Sequence, residues 1–234
     1  MRLLVVPARG GSKRIPRKNV KPFLGRPVIA RVLETALASE AFDRVIVSTD
    51  DQEIAVVSRR AGAEVPFVRP ATLADDHATT RQVVLHALDE LAAAGETPDV
   101  VGCLYPTAVF ATADHLRAAV ALLDEDPAVP MVVTVGEHPR VVLRALVLRD
   151  GRLEAASPQY RKTRTQDLPP AYYDAGQFYV GRRDRWTDTA SSLVGGGVPL
   201  VIEGVVDIDT EDDWRRAEEL VAAREGAPTG EAEG

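Results

Sequence analysis

Short, nearly unbroken apolar runs alternate along this chain with stretches whose apolar residues recur every three to four positions. The first run occupies positions 2–6, and similar strand-like runs fall at 44–48, 64–68, 99–104 and 130–135. Between the first two, 27–39 sets Val28, Ile29, Val32, Leu33, Ala36 and Leu37 along one side of a helix. A second helix is expected over 54–61, started among Thr49, Asp50 and Asp51 and ended by Gly62. A third runs from a cap at Thr79 or Thr80 through 91. Thr112 caps a fourth, which carries Leu116, Ala119, Val120 and Leu123. Continuous apolar strands separated by such helices predict an α/β protein, a mostly parallel sheet with helices on both faces. Ligands of such sheets bind beyond the carboxyl ends of the strands. The loops after 6, 48 and 104, and a later acidic segment, should therefore share one rim.

The alternation breaks after Gly136. Runs at 142–148 and 153–156 flank Asp150-Gly151, a hairpin turn signal, so 139–170 reads as an excursion from the main sheet. Such an arm is expected to pack on a second subunit, a simple surface flap being the alternative reading. Strands return at 172–180 and 199–202, with Gly195, Gly196 and Gly197 in the loop between them. A helix through about 223 closes a single domain, 1–224, and the Gly-, Glu- and Pro-containing residues 225–234 read as a disordered tail.

Composition narrows the class. With 45% apolar and 27% charged residues in 234, the chain reads as an ordinary globular protein. No apolar run approaches the roughly 18 residues that cross a bilayer, and no secretory leader is evident. Cys103, the single cysteine, lies inside an apolar strand and reads as core. The cytoplasm is the expected compartment. Four histidines, His77, His86, His115 and His138, lack metal-ligand spacing.

Charge changes the picture most. The chain carries a net charge of −7, yet Arg9, Lys13, Arg14, Arg17, Lys18 and Lys21 crowd into thirteen positions directly after the first strand. Gly10, Gly11 and Ser12 lie among them, small enough to let backbone N–H groups approach a ligand. Strand, glycine turn and clustered cations describe a receptacle for a polyanion such as a nucleotide triphosphate. Neither GxxxxGK[ST] nor GxGxxG occurs there, so the loop is neither a Walker loop nor a dinucleotide fingerprint. A solvated or nucleic-acid-binding basic face is the plain competitor. The preceding buried strand and the paired glycines argue against it.

Near the other end, Asp207 and Asp209 are two apart in an extended run, so both side chains leave on one face. Two convergent carboxylates suit Mg²⁺, which takes a few carboxylate oxygens and fills its shell with water and phosphate. Alternatively, one of these residues or Thr210 caps the following helix, with Asp213 completing a capping box.

PARGGSKRIPRKN, positions 7–19, resembles the signature loop of the sugar-acid cytidylyltransferases, and the likeness extends from 3 to about 220. That resemblance implies a Rossmann-like nucleotidyltransferase fold with a dimerisation arm. It also implies CTP and Mg²⁺ as partners of the site. Arg9, Lys18 and Asn19 would contact the triphosphate and ribose, with Gly10, Gly11 and Ser12 beside them. Arg69, before Pro70, and the loop from Ala78 to Thr80 would read cytosine, and Asp207 and Asp209 would hold the metal. Tyr105, Thr107, Gln166 and Gln177 would meet the sugar. The stretches around them are most similar to the pseudaminic acid branch, which differs at Pro106 and Val109.

The expected function is transfer of CMP from CTP to the anomeric hydroxyl of a nonulosonic sugar acid, releasing pyrophosphate. Arg9, Lys18 and Asp209 would be the catalytic residues. Competing readings are the same reaction on N-acetylneuraminate, legionaminate or Kdo, and a CTP-binding module without catalysis. A nucleic-acid protein fits the acidic remainder of the chain poorly.

Overall fold

The computed structural model describes residues 1–226. Strand β1 (Arg2–Pro7) leads into the basic loop, which ends in two short strands, β2 (Pro22–Phe23) and β3 (Arg26–Pro27). Helix α1 (Val28–Ala38), strand β4 (Arg44–Ser48), helix α2 (Gln52–Arg60) and helix α3 (Thr80–Ala93) follow. Strand β5 (Val100–Leu104), helix α4 (Ala113–Glu125) and strand β6 (Met131–His138) complete the alternating part. A separate hairpin, β7 (Leu146–Arg149) and β8 (Arg152–Ala155), precedes the long strand β9 (Ala171–Arg182). Helix α5 (Arg183–Thr187), strand β10 (Val198–Val201) and helix α6 (Glu211–Gly226) end the described chain.

The main sheet has six strands in the order β10-β6-β9-β5-β1-β4. β1 is parallel to β4 and β5, and β10 is parallel to β6. β9 alone runs against both neighbours. Successive side chains of β1 leave on opposite faces: Leu4 and Val6 pack with α1, α4 and α6, Leu3 and Val5 with α3 and Trp186. This is the three-layer arrangement expected. Cys103 is fully buried among the second set, where loss of solvent pushes its thiol pKa up.

Local chemistry fixes the helix starts. Asp51 caps α2 by accepting from the Ile54 N–H at 3.0 Å. Thr79 with Gln82, and Thr112 with His115, form reciprocal capping boxes on α3 and α4. Gly62 takes φ 94° just past α2, where a side chain would be strained.

Three expectations need correction. Residues 64–68 do not form a strand: Glu64 alone bridges to Ile46, and Pro66, which has no N–H, cannot extend the ladder. The chain instead turns back, with the Arg69 N–H on the Thr49 carbonyl at 2.9 Å. Residues 140–144 are a single-turn helix ahead of the hairpin, not strand. Helix α6 continues to Gly226, two residues into the expected tail, and 227–234 lie outside the described residues.

Asp150 and Gly151 both take positive φ, 48° and 74°, as a tight two-residue hairpin turn of matching twist requires. Leu148 is paired with Leu153 across that hairpin, and Leu146 lies two residues away on the same face. All three leucines are exposed.

Candidate active site

The parallel strands β1, β4 and β5 deliver their carboxyl ends to one edge of the sheet, and β9, running the other way, brings its early residues there. A cavity of about 250 Å³ opens at this edge. Arg9, Ser12, Lys18 and Asn19 line it from the basic loop, Arg69, Ala78 and Thr80 from the stretch before α3, Tyr105 and Thr107 from the end of β5, and Asp209 from the far end of the chain. Lys13, Arg14, Asp75 and Asp76 also face it.

The basic loop is held from within. Buried Asn19 donates to the carbonyl of Arg9 at 2.9 Å, tying the two ends of the loop together. Arg17 takes a left-handed backbone conformation, φ 57° and ψ 29°, uncommon for a residue with a side chain. Ion pairs to Asp51 and Glu53 anchor it there. The guanidinium holds the Asp51 carboxyl down to about 2. Gly10 is required for contact: a Cβ on it would lie 2.6 Å from Asp51 Oδ2. Its N–H, however, donates to Asp50 Oδ1 at 3.1 Å, and the Ser12 N–H turns back onto the Gly10 carbonyl at 3.1 Å. The Gly10 and Ser12 amides are thus turned onto protein acceptors in this structure; Ser12 lines the cavity with the cations, while Gly10 and Gly11 lie outside its lining.

Lys18 spans the cleft. Its ammonium donates to the Ile208 carbonyl at 2.6 Å and lies 3.8 Å from Asp209 Oδ1, which also pairs with Arg14 at 2.7 Å. Burial pulls the Lys18 pKa below its ordinary value, opposed by Asp209 and Asp207. Asp207 is exposed beside the Gly176 turn, outside the cavity lining. Desolvation of its carboxyl, and then Asp209, raise its pKa. Capping does not account for either aspartate, because Thr210 and Asp213 form the box that starts α6.

Arg69 is only 4% exposed. Its nearest carboxylate, Asp50, is 3.6 Å away, beyond hydrogen-bond reach. Nε and Nη2 of Arg69 have no hydrogen-bond partner, so a buried guanidinium borders the cavity with donors to offer. Thr80 and Tyr105 share a hydroxyl hydrogen bond of 2.7 Å, and the Tyr105 ring stands edge-on to Tyr179 with centroids 5.9 Å apart. Tyr179 in turn donates to Asp174. Burial pushes the Tyr105 pKa up to about 12, so its phenol stays protonated at neutral pH.

Two expected sugar contacts fall elsewhere. Gln177 is 2% exposed, and its side chain is committed inside the protein. Its Oε1 accepts from the Phe110 N–H at 3.2 Å, and its Nε2 donates to the Ala175 carbonyl at 3.1 Å. Its own carbonyl accepts from the Tyr105 N–H at 2.9 Å, so Gln177 braces the 105–110 loop from behind. Gln166 lies exposed on the arm, where its carbonyl accepts from Arg140, and does not reach the cavity. Asp76, absent from the expected set, bonds the cavity's cations directly. The signal available was an aspartate pair inside a stretch that otherwise reads as a polar loop. No group of three or more His, Cys, Asp or Glu side chains is assembled for a metal among the described residues.

A sheet edge that gathers clustered cations, a buried guanidinium with two unsatisfied nitrogens and Asp209 from the segment before α6 around one cavity is built to receive an anionic ligand such as a nucleotide. A sequence profile described as cytidylyltransferase matches residues 3–181, and the chain belongs to that family. A pseudaminic acid cytidylyltransferase from Campylobacter jejuni is 38% identical over 222 residues, 93% of this chain and 95% of that protein. A CMP-N,N'-diacetyllegionaminic acid synthase from Legionella pneumophila is 30% identical over 237 residues, 97% of this chain and 99% of that one. Among solved structures, CMP:2-keto-3-deoxy-manno-octonic acid synthetase complexed with CTP superimposes with a TM-score of 0.72 at 19% identity. That match covers 95% of this chain and 99% of that one. The chain is thus a nucleotidyltransferase enzyme of this family. Among the described residues no helix is long and apolar enough to cross a membrane.

Proposed function

We propose that the enzyme transfers CMP from CTP to the anomeric hydroxyl of pseudaminic acid, a nonulosonic sugar acid, in the cytoplasm. The observation that carries this reading is Lys18 of the basic loop held against the Ile208–Asp209 segment, with Arg69, whose Nε and Nη2 lack a hydrogen-bond partner among the described residues, beside the same cavity. Similarity to enzymes of that name supports the choice of sugar.

In the reaction the anomeric oxygen attacks the α-phosphorus and a new P–O bond forms. The bond from that phosphorus to the bridging oxygen breaks, pyrophosphate leaves with the electron pair, and the hydroxyl proton is released. Arg9 and Lys18 hold the phosphates and stabilise the charge that builds on the leaving pyrophosphate. Arg69 offers its free donors to the acceptor edge of cytosine. Tyr105 and Thr107 line the sugar side.

The donor set fits Mg²⁺. Desolvation first, and the neighbouring Asp209 second, disfavour the charged form of Asp207, and a hard cation held by both carboxylates would offset each. Both carboxylates would hold the ion, leaving its other positions to phosphate oxygens and water. When bound, the ion neutralises phosphate charge and withdraws density from the α-phosphorus.

The exposed leucine face of the β7–β8 hairpin supports a homodimer in which the arm packs on a second copy. A panel of sugar acids (pseudaminic, N-acetylneuraminic, legionaminic and Kdo) incubated with CTP and Mg²⁺ tests the reading through pyrophosphate release. Turnover greatest with pseudaminic acid is the expected result. CTP binding without turnover on any acid would overturn it.

A further inference from the structure

Each cation lining the cavity has a carboxylate of its own chain within 4 Å. Asp209 faces Arg14 and Lys18, and Asp50 lies near Arg69. Asp76 joins Arg9 and Lys13: Oδ1 lies 2.7 Å from Arg9 Nη2, and Oδ2 lies 2.5 Å from Lys13 Nζ. These positions are not equivalent. Asp209 serves the proposed metal site and Asp50 receives the Gly10 N–H, so both have duties that outlast ligand entry. Among the described residues Asp76 has no side-chain partner besides the two cations that a polyphosphate would claim.

The loop that presents Asp76 is shaped for this. Its neighbour Asp75 turns the other way and accepts from the N–H groups of His77 and Ala78, each at 2.9 Å. That turn ties the loop to Ala78 at the cavity wall and leaves the Asp76 carboxylate bridging Arg9 and Lys13 as a phosphate would. A dianion arriving there cannot share both cations with a fixed carboxylate at Coulombic contact, because the like charges repel. We infer that Asp76 is an internal substitute for phosphate, which withdraws when a polyphosphate binds and returns to Arg9 and Lys13 as pyrophosphate departs. Its presence would weaken polyphosphate binding and speed product release.

This inference rests on the polyphosphate-binding reading of the basic loop, and the test separates the two. Binding of inorganic pyrophosphate and of tripolyphosphate to the whole protein is measured by calorimetry at low salt, for wild type, Asp76→Asn and Asp76→Glu. Asp76→Asn removes the charge at constant shape. It should bind both ligands about two- to fivefold more tightly, the scale of one part-exposed and one largely exposed ion pair. Asp76→Glu, which keeps the charge, should stay close to wild type. In steady state Asp76→Asn should show lower KM for the nucleotide and stronger inhibition by pyrophosphate. Unchanged or weaker binding in Asp76→Asn, with wild type binding normally, overturns the inference alone. Wild type that binds neither ligand overturns the inference together with the reading beneath it. Matched melting temperatures exclude a folding origin for any difference.

Discussion

The ammonium of Lys18 meets the carbonyl of Ile208 across 190 positions of sequence, at 2.6 Å. That contact draws the basic loop and the acidic segment before α6 to one cavity. Lys18→Ala should lower kcat on the order of 100- to 1,000-fold, as loss of one preorganised cation at a developing charge does. Initial-rate assays of pyrophosphate release check this, and a loss below about tenfold would remove Lys18 from the catalytic set.

Asp209 is partly exposed and its partners are cations that water can serve. Asp209→Ala should therefore abolish turnover while the melting temperature stays within a few degrees of wild type. Near-normal turnover would count against the metal assignment. Collapse of the fold would move Asp209 from chemistry to structure.

Asp51 works on stability. It caps α2 and pairs with Arg17, so Asp51→Ala should cost about 1–2 kcal/mol. Its folded-state pKa is depressed, so its contribution is complete above the ordinary carboxylate value and fades as the pH falls through the folded one. The window runs from about pH 4 to about pH 2. Denaturant titrations across that range should show the wild-type advantage over Asp51→Asn shrinking with acid. An advantage that grows with acid contradicts the sign.

Gln177 separates bracing from ligand contact. Gln177→Leu leaves the Phe110 N–H without its buried acceptor and should destabilise the protein by about 1–3 kcal/mol. A stability unchanged by this substitution, with a raised KM for the sugar acid, would return Gln177 to the sugar wall.

Leu148 and Leu153 are opposite one another on the arm with their side chains in solvent. Replacing both by Asp should convert a dimer to a monomer in sedimentation velocity. Wild-type protein that already sediments as a monomer at micromolar concentration removes the arm's proposed partner.

What the sequence made legible is local chemistry. Thr112, Gly62 and Asp150-Gly151 act within a few residues and hold the positions their types predict, and of the two caps offered for α3 the structure selects Thr79; the return bonds from Gln82 and His115 are additions of the fold. The reversal of β9 was not legible, because an apolar strand reads alike in both directions. Residues 64–68 read as a strand from their apolar content, whereas Pro66, which lacks the N–H a ladder needs, stops the pairing at Glu64. Asp76 was missed because pairing with Arg9 and Lys13 depends on where the loop before α3 returns, which no spacing encodes. Gln177 was assigned to the sugar because its neighbourhood matched a motif, while the direction of its side chain is set by strand pairing.

The opposing charges of the site come from opposite ends of the chain, and that has a bearing on synthesis. A chain still leaving the ribosome displays Arg9, Arg14 and Lys18 well before Asp207 and Asp209 are made. Until that segment is made, Arg14 and Lys18 lack the carboxylate that faces them in the finished fold, whereas Arg9 already has Asp76.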